Sequence, residues 1–486
     1  MAKWYANFRK DLDKNVHPKR KVYFLMFGYG IGHIGQGSSY NFMSAYLVLF
    51  LTNCVGLNAA IAGGISSAAL LVEVVMGMVI GNISDNCTSR MGRRRPFMLT
   101  AAFGVPPVMI LLMIVIHASG PVTILYYLVL AILFRVFFSC FEIPNNAFGA
   151  EIASGYDERT RLRTVTRAFA IVGNAIGYIS PLIMLEIYKD NQIMGWKATG
   201  YVTAFACGLT WLISIYMTRG KSIVLDKSQV VKKKNILKNI ALNYIELCKL
   251  KAMRILIIYK AAFSCAFALY NVGTLYYLQN CLGLGNKYSS YMYAFQITIF
   301  VLVTPLINKM ALFMGKARQQ MAVMLTGGIG GIAVFLISPN STAGGIIYIG
   351  LFSIVQTSFW QLSSSIFYDV VEVDEYVNNQ RREGDIMSLV SVLGTLITAV
   401  MVQVFGIALD LAGFDSALPV QSEGVIAVLD CMYILVPGVC FLIGALALKI
   451  FPINKESFAA LQTVLRLRRE GKDYSMHLKD IEKVIG

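Results

Sequence analysis

The sequence predicts an all-α membrane protein of twelve transmembrane helices arranged as two six-helix halves. Three observations predict it. Of 486 residues, 56% are apolar and only 14% are charged, with a mean hydropathy of +0.61; a soluble protein carries nearer a quarter charged residues. Twelve stretches are each long and apolar enough to cross the hydrocarbon, which takes about 20 residues. A basic loop motif recurs at matching places in the two halves. This composition excludes a disordered chain, a fibrous protein and an ordinary cytosolic enzyme. The net charge of +16 does not imply nucleic acid, because the basic residues flank apolar spans, where topology places them.

Residues 1–22 are polar and basic (Lys3, Arg9, Lys10, Lys14, Lys19, Arg20 and Lys21), and the apolar run after them is too long for a signal peptide. They form an N-terminal cytoplasmic segment. The first bundle, 23–218, holds spans at 23–51, 58–83, 97–118, 122–150, 166–187 and 197–218. A middle loop, 219–253, is the longest connection and divides the chain. The second bundle, 254–451, holds spans at 254–279, 288–313, 319–338, 343–368, 385–411 and 425–450. A tail, 452–486, closes the chain and is expected to lie solvated or at the headgroups. Several spans are rich in glycine, as in Phe27 to Gly37, and small residues let membrane helices approach closely.

Lysine and arginine orient the spans. Alternate connections carry Arg90 and Arg93–Arg95; Arg159, Arg161 and Arg163; the run from Arg219 to Arg254 with Lys232–Lys234; Lys309, Lys316 and Arg318; and Arg381 and Arg382. The other set holds only Lys189, Lys197 and Lys287. Positive charge stays inside, so both termini are expected to be cytoplasmic.

Met91-Gly92-Arg93-Arg94-Arg95 after span 2 is echoed by Met314-Gly315-Lys316-Ala317-Arg318 after span 8, with Asp85 falling on Asn308 at the same offset. Homologous halves follow. The stretch Gly81-Asn82-Ile83-Ser84-Asp85 to Arg94 suggests a gate: Gly81 permits close helix contact, and Asp85 can accept from a helix N-terminus or from an arginine such as Arg93 or Arg94. The same arginines also anchor the helix at the headgroups.

Of the charges that fall inside spans, four stand out: Glu73, Arg135, Glu142 and Lys260. Each costs at least ~2.5 kcal/mol at mid-depth when unpaired, so such residues face a cavity or a partner. Arg135 and Glu142, seven apart, share one helix face. Lys260 lies early in span 7 and is expected to snorkel. Glu73 and Glu142 can bind a small cation or carry a proton; the alternative is that each is permanently satisfied by Arg135 or a hydroxyl. His33 in span 1 reads as a packing hydrogen bonder. Nine scattered cysteines show no ligand spacing or disulfide framework, and Cys54 and Cys281, both near the outer surface, are not expected to pair. No Walker, H-E-x-x-H or Ser-His-Asp pattern appears, so neither an enzyme nor a pump with its own ATPase is expected.

Several blocks together resemble the glycoside–pentoside–hexuronide:cation symporters, the melibiose-permease-like branch of the major facilitator superfamily. They are Phe50-Leu51-Thr52-Asn53-Cys54-Val55-Gly56-Leu57, the loop from Gly81 to Phe97, Glu142-Ile143-Pro144, Asp157-Glu158-Arg159-Thr160 with Arg167, and Tyr368-Asp369-Val370-Val371 leading to Gln380-Arg381-Arg382-Glu383-Gly384. The resemblance covers most of the chain and implies the major facilitator fold and alternating access at a central site. It carries the family's acidic span-4 element onto Glu142, with Asp replaced by Glu, and the preceding hydroxyl onto Ser139. Arg167 matches the arginine opening span 5, and Trp360 an aromatic that stacks on sugar rings. The departures are as informative. The paired acids of span 2 become Glu73 and Gly77, the sugar-binding acid of span 1 falls on Gly37 beside Gln36, and the basic residue of span 11 falls on Thr395.

The resemblance and the intramembrane charges together imply a plasma-membrane symporter for a sugar, glycoside or uronide, coupled to H+ or Na+. Substrate would be held by Gln36, Glu142, Arg167, Trp360 and Thr395. The coupling ion would sit at Glu73, Glu142 and Ser139; for Na+ the metal ligands would be Glu73 and Glu142. Gly81, Asp85, Arg93 and Arg94 would gate. No cofactor beyond the coupling ion and no partner beyond lipid and substrate are expected, and the chain is expected to act as a monomer. Two alternatives remain: an uncoupled facilitator with Arg135 in the cation's place, and a non-transporting glycoside sensor signalling through the middle loop or tail.

Overall fold

A computed structural model describes residues 18–89, 91–116, 118–152, 156–219, 236–338, 340–379, 382–416, 418, 420–470 and 473. His17, His117, His477, Arg90, Lys232–Lys234, Gln380 and Arg381 lie outside them, as do the side chains of Asp157 to Thr160. The described residues are mostly helical, without strands.

In chain order the helices are α1 (Pro18–Asn53), α2 (Ala59–Asp85), α3 (Arg95–Leu112), α4 (Gly120–Ile152), α5 (Tyr156–Ile187), α6 (Gln192–Met217), α7 (Ile236–Leu247), α8 (Lys251–Tyr276), α9 (Asn286–Met314), α10 (Lys316–Ile337), α11 (Thr342–Asn378), α12 (Glu383–Leu411), α13 (Glu423–Asp430), α14 (Val436–Lys449) and α15 (Lys455–Arg469). A π-helical turn, Tyr277–Cys281, extends α8, and a second, Cys431–Leu435, joins α13 to α14. Eleven of the helical segments, the last running from Glu423 to Lys449, are long and apolar enough to span. Helix α1, with 36 residues and about 54 Å of length, is long enough to be a twelfth.

Two helices depart most from the expected boundaries: α5 begins at Tyr156, ten residues before span 5, and α11 overruns its far end. The latter runs to Asn378, ten residues past the end of span 10. Hydropathy discounts that stretch because it carries Asp369, Glu372, Asp374 and Glu375. The helix continues because two of these acids are paired: Lys316 donates to Asp369 at 2.7 Å, and Arg382 to Asp374 at 2.7 Å. Asn379 then stops it in the left-handed conformation, φ 53°.

Backbone packing groups the chain into two units, one of residues 1–43 and 75–231, the other of 44–74 and 232–486. In the first, α1 and α5 cross on glycine. Gly173 and Gly177 form a small-xxx-small pair, and a Cβ at Gly177 would lie 2.7 Å from the Ser38 carbonyl oxygen. Close by, Asn41 Nδ2 donates to Asn174 Oδ1 at 2.7 Å. Trp211 of α6 stacks on Phe141 of α4 at 4.0 Å, and its indole N–H donates to the Gly32 carbonyl at 3.1 Å. Arg95, buried at the start of α3, donates to the Ile215 carbonyl.

The second unit is built on stacked rings. Phe263 lies on Phe359 at 3.4 Å, Tyr270 on Phe352 at 3.6 Å, and Tyr277 on Tyr433 at 4.6 Å. The two π-turns thus meet through Tyr277 and Tyr433, and Tyr348 Oη donates to the Tyr433 carbonyl at 2.6 Å. The tail corrects the sequence reading. Asn454 and Ser457 form a capping box that starts α15, and Leu461, Val464 and Leu465 are buried in the unit's core. Their i, i+3, i+4 spacing makes an apolar stripe, and it packs on protein rather than lying solvated or at the headgroups.

The repeated loop keeps its geometry. Gly92 and Gly315, equivalent in the two motifs, both adopt positive φ, 94° and 87°, a region that glycine enters without steric cost.

Candidate functional site

In the first unit, α1 and α4 bring Gln36 and Glu142 together: Gln36 Nε2 donates to Glu142 Oε1 at 3.2 Å. Both are half-buried. Pro144, two residues beyond Glu142, lies inside α4, as membrane helices tolerate. Ser139, buried one turn earlier, donates to its own helix at the Arg135 carbonyl, 2.9 Å, a back-bond that leaves its oxygen able to accept. Arg135 is 2% exposed, with its guanidinium 5.4 Å from the Tyr40 ring and 5.7 Å from Phe134. Arg167 is half-buried on α5. His33 Nδ1 lies 3.3 Å from the Tyr29 carbonyl.

The segment joining α2 and α3 forms an ion pair. Arg94 Nη2 lies 2.5 Å from Asp85 Oδ1, with side chains 8% and 54% exposed, and Arg94 Nη1 donates to Ser84 at 3.1 Å. Arg93 is half-buried beside it. A Cβ at Gly81 would meet Ile143 at an ordinary 3.6 Å, so glycine is not required there by packing.

In the second unit, Glu73 is half-buried on α2. Trp360 stands edge-on to Phe263, Phe267 and Phe359 and is 43% exposed. Thr395 donates to the Ser391 carbonyl of its own helix at 3.2 Å. Glu73, Trp360 and Thr395 belong to this unit, whereas Gln36, Ser139, Glu142 and Arg167 belong to the other.

Lys260 corrects the sequence reading. Its ammonium lies 5.1 Å from the Phe359 ring and 5.7 Å from Trp360, against the backbone of Gly394 on α12, instead of reaching along α8 to the interface. Sequence reasoning also missed Ser264, one turn on, and the Asn41–Asn174 pair; asparagines inside apolar spans were the available signal. Among the described residues no group of three His, Cys, Asp or Glu could hold a metal ion. All nine cysteines are free.

Outside the spanning segments, Arg382 is the hub. It holds Asp374 through Nε at 3.0 Å and Nη2 at 2.7 Å, and Glu246 of α7 through Nη1 at 2.5 Å. Asp374, then Glu246, hold its pKa above the usual guanidinium range against the lowering effect of burial. Asn243 donates to Asp385 at 2.7 Å, and Tyr244 and Ser388 share a 2.7 Å hydrogen bond. Burial pushes the Tyr244 phenol up. Together these contacts fasten α7 to α12.

The chain is thus a helical membrane protein with polar and ionisable groups set inside its spans. Residues 28–455 match the family of MFS/sugar transport proteins, and the chain belongs to that family. It is 22% identical to the isoprimeverose transporter of Lactiplantibacillus pentosus, over 90% of this chain and 91% of that one. It is 24% identical to the glucuronide carrier protein homolog of Escherichia coli K12, over 91% and 95%. With a Synechocystis symporter the match spans only 41% of that protein. A variant of the nucleoside transporter NupG shares the fold, with TM-score 0.66 at 12% identity over 88% of this chain and 99% of that one.

Proposed function

We propose that this protein is a secondary active transporter, a symporter that moves a sugar, glycoside or uronide with H+ or Na+ by alternating access. The observation that carries the reading is the Gln36–Glu142 pair: a carboxylate held by an amide at membrane depth in a family of sugar transport proteins. A carboxylate there accepts sugar hydroxyls in strong charge-assisted hydrogen bonds, and it can hold a proton or ligate a hard cation. The relatives' names, an isoprimeverose transporter and a glucuronide carrier homolog, support the cargo class.

In this reading Glu142, Ser139 and Glu73 serve the coupling ion. Gln36, Glu142, Arg167, Trp360 and Thr395 serve the substrate. Asp85 with Arg94, flanked by Gly81 and Arg93, makes an ion pair that forms in one gate state and opens in the other. The bundles 23–218 and 254–451 are the moving bodies, the protein works as a monomer in the plasma membrane, and both termini face the cytoplasm. No cofactor takes part.

The test is uptake of a sugar panel into proteoliposomes under imposed sodium or proton gradients. Concentrative uptake is expected, and Glu142→Gln and Glu73→Gln should each abolish accumulation. If no sugar accumulates under either gradient, coupling is wrong; if Glu73→Gln accumulates normally, its role is wrong. Arg135, a buried guanidinium seven residues from Glu142, favours a second reading, a facilitator in which this fixed charge stands in for the cation. It predicts equilibration without accumulation and no effect of ionophores.

A further inference from the structure

We infer that Lys260 recognises an anionic group on the substrate, and that the cargo is an acidic sugar, a sugar or glycoside bearing a carboxylate. This rests on the transport reading above and sharpens it.

Lys260 is the tenth residue of α8, about 14 Å from its start at 1.5 Å per residue. That places it inside the spanning segment Lys251–Cys281, whose 31 residues are longer than a hydrocarbon core about 30 Å thick requires. The side chain does not return to the helix end. A Cβ at Gly394 would lie 2.7 Å from Lys260 Cε and 3.1 Å from Nζ, so the missing side chain of α12 is the slot that admits the ammonium. Phe359 and Trp360 flank the other side.

Among the described residues, the ion pairs of this unit join Lys316 to Asp369 and Arg382 to Asp374 and Glu246; none includes Lys260. Cation–π contact offsets roughly 0.5–2 kcal/mol, while burying a charge at this depth costs at least ~2.5 kcal/mol. The balance favours an anion delivered by a ligand.

The surroundings describe that ligand. Ser264, one helical turn from Lys260, places its Oγ 3.4 Å from the same point above Gly394, within reach of a sugar hydroxyl. Trp360, 43% exposed, offers an indole on which a sugar ring can pack. One ammonium balances one carboxylate. A dianionic phosphate would leave a second charge uncompensated, and burying an unpaired charge is costly.

The experiment measures binding to the purified full-length protein with matched pairs, the methyl glycoside and the methyl glycosiduronate of glucose, galactose and mannose. Wild type should bind at least one uronate roughly 10- to 100-fold more tightly than its neutral twin, the range of a charge-assisted hydrogen bond. Lys260→Gln should erase that preference and leave affinity for the neutral twin within about twofold. Gly394→Ala, which keeps the charge but crowds the slot, should weaken it. Without ligand, Lys260→Met should raise the thermal midpoint, because an unbalanced buried charge is removed; a lower midpoint would show a lysine held for packing and overturn the inference. Equal or tighter binding of every neutral twin by wild type, or a preference that survives Lys260→Gln, overturns it as well while leaving sugar transport intact. Failure of every sugar to bind overturns the transport reading, and this inference with it.

Discussion

Asp374, Arg382 and Glu246 make a decisive comparison, because one guanidinium holds two carboxylates in opposite surroundings. Asp374 is fully buried and takes two hydrogen bonds from Arg382 and a third from Asn378, while Glu246 is 54% exposed and takes one from Arg382. Asp374→Asn leaves the buried guanidinium with only its solvent-screened partner Glu246, which costs up to roughly 3–5 kcal/mol. Glu246→Gln breaks a solvent-screened pair worth roughly 0–1 kcal/mol. The ranking therefore runs opposite to the interatomic distances, since the Glu246 contact is the shorter. Equilibrium unfolding in mixed micelles, read by tyrosine and tryptophan fluorescence, should show Asp374→Asn well below wild type and Glu246→Gln close to it. The double variant Asp374→Asn/Arg382→Gln should recover part of the loss, because no unpaired charge stays buried. Arg382 has a raised pKa in the fold, so its stabilisation is fully present below its unfolded value and is lost only above it. The contrast should hold from neutral pH to pH ~10. Equal losses for the two single variants, or a double variant worse than Asp374→Asn, would refute the reasoning.

Two further outcomes follow from the first unit. Gly177→Val drives a side chain into the Ser38 backbone at the α1–α5 crossing and should cost about 1–3 kcal/mol or more, seen as a lower thermal midpoint in detergent, with Gly81→Ala nearly neutral by the same measurement. Asp85→Asn breaks the pair to Arg94; because Asp85 is half exposed, stability should fall by less than ~1 kcal/mol, whereas uptake into proteoliposomes should slow if the pair gates.

The spans were legible because the bilayer leaves little choice: about 20 apolar residues must run together, and all their backbone groups must be satisfied within the helix. The repeat was legible at Gly92 and Gly315, since a conformation with φ near 90° all but demands glycine. The far end of α11 was not, because its acids look like a loop until Lys316 and Arg382 are seen to pair with them.

The sequence by itself determined that this chain crosses a membrane twelve times, in two related halves, with a few charges stranded at depth. The tertiary structure alone decided what each charge faces. Gln36 meets Glu142 across 106 positions, and Lys260 turns into a slot opened by a glycine on another helix. The reason is geometric. Hydropathy fixes where a helix lies in the bilayer, but its rotation and height against its neighbours come from packing, and those two coordinates choose every polar partner.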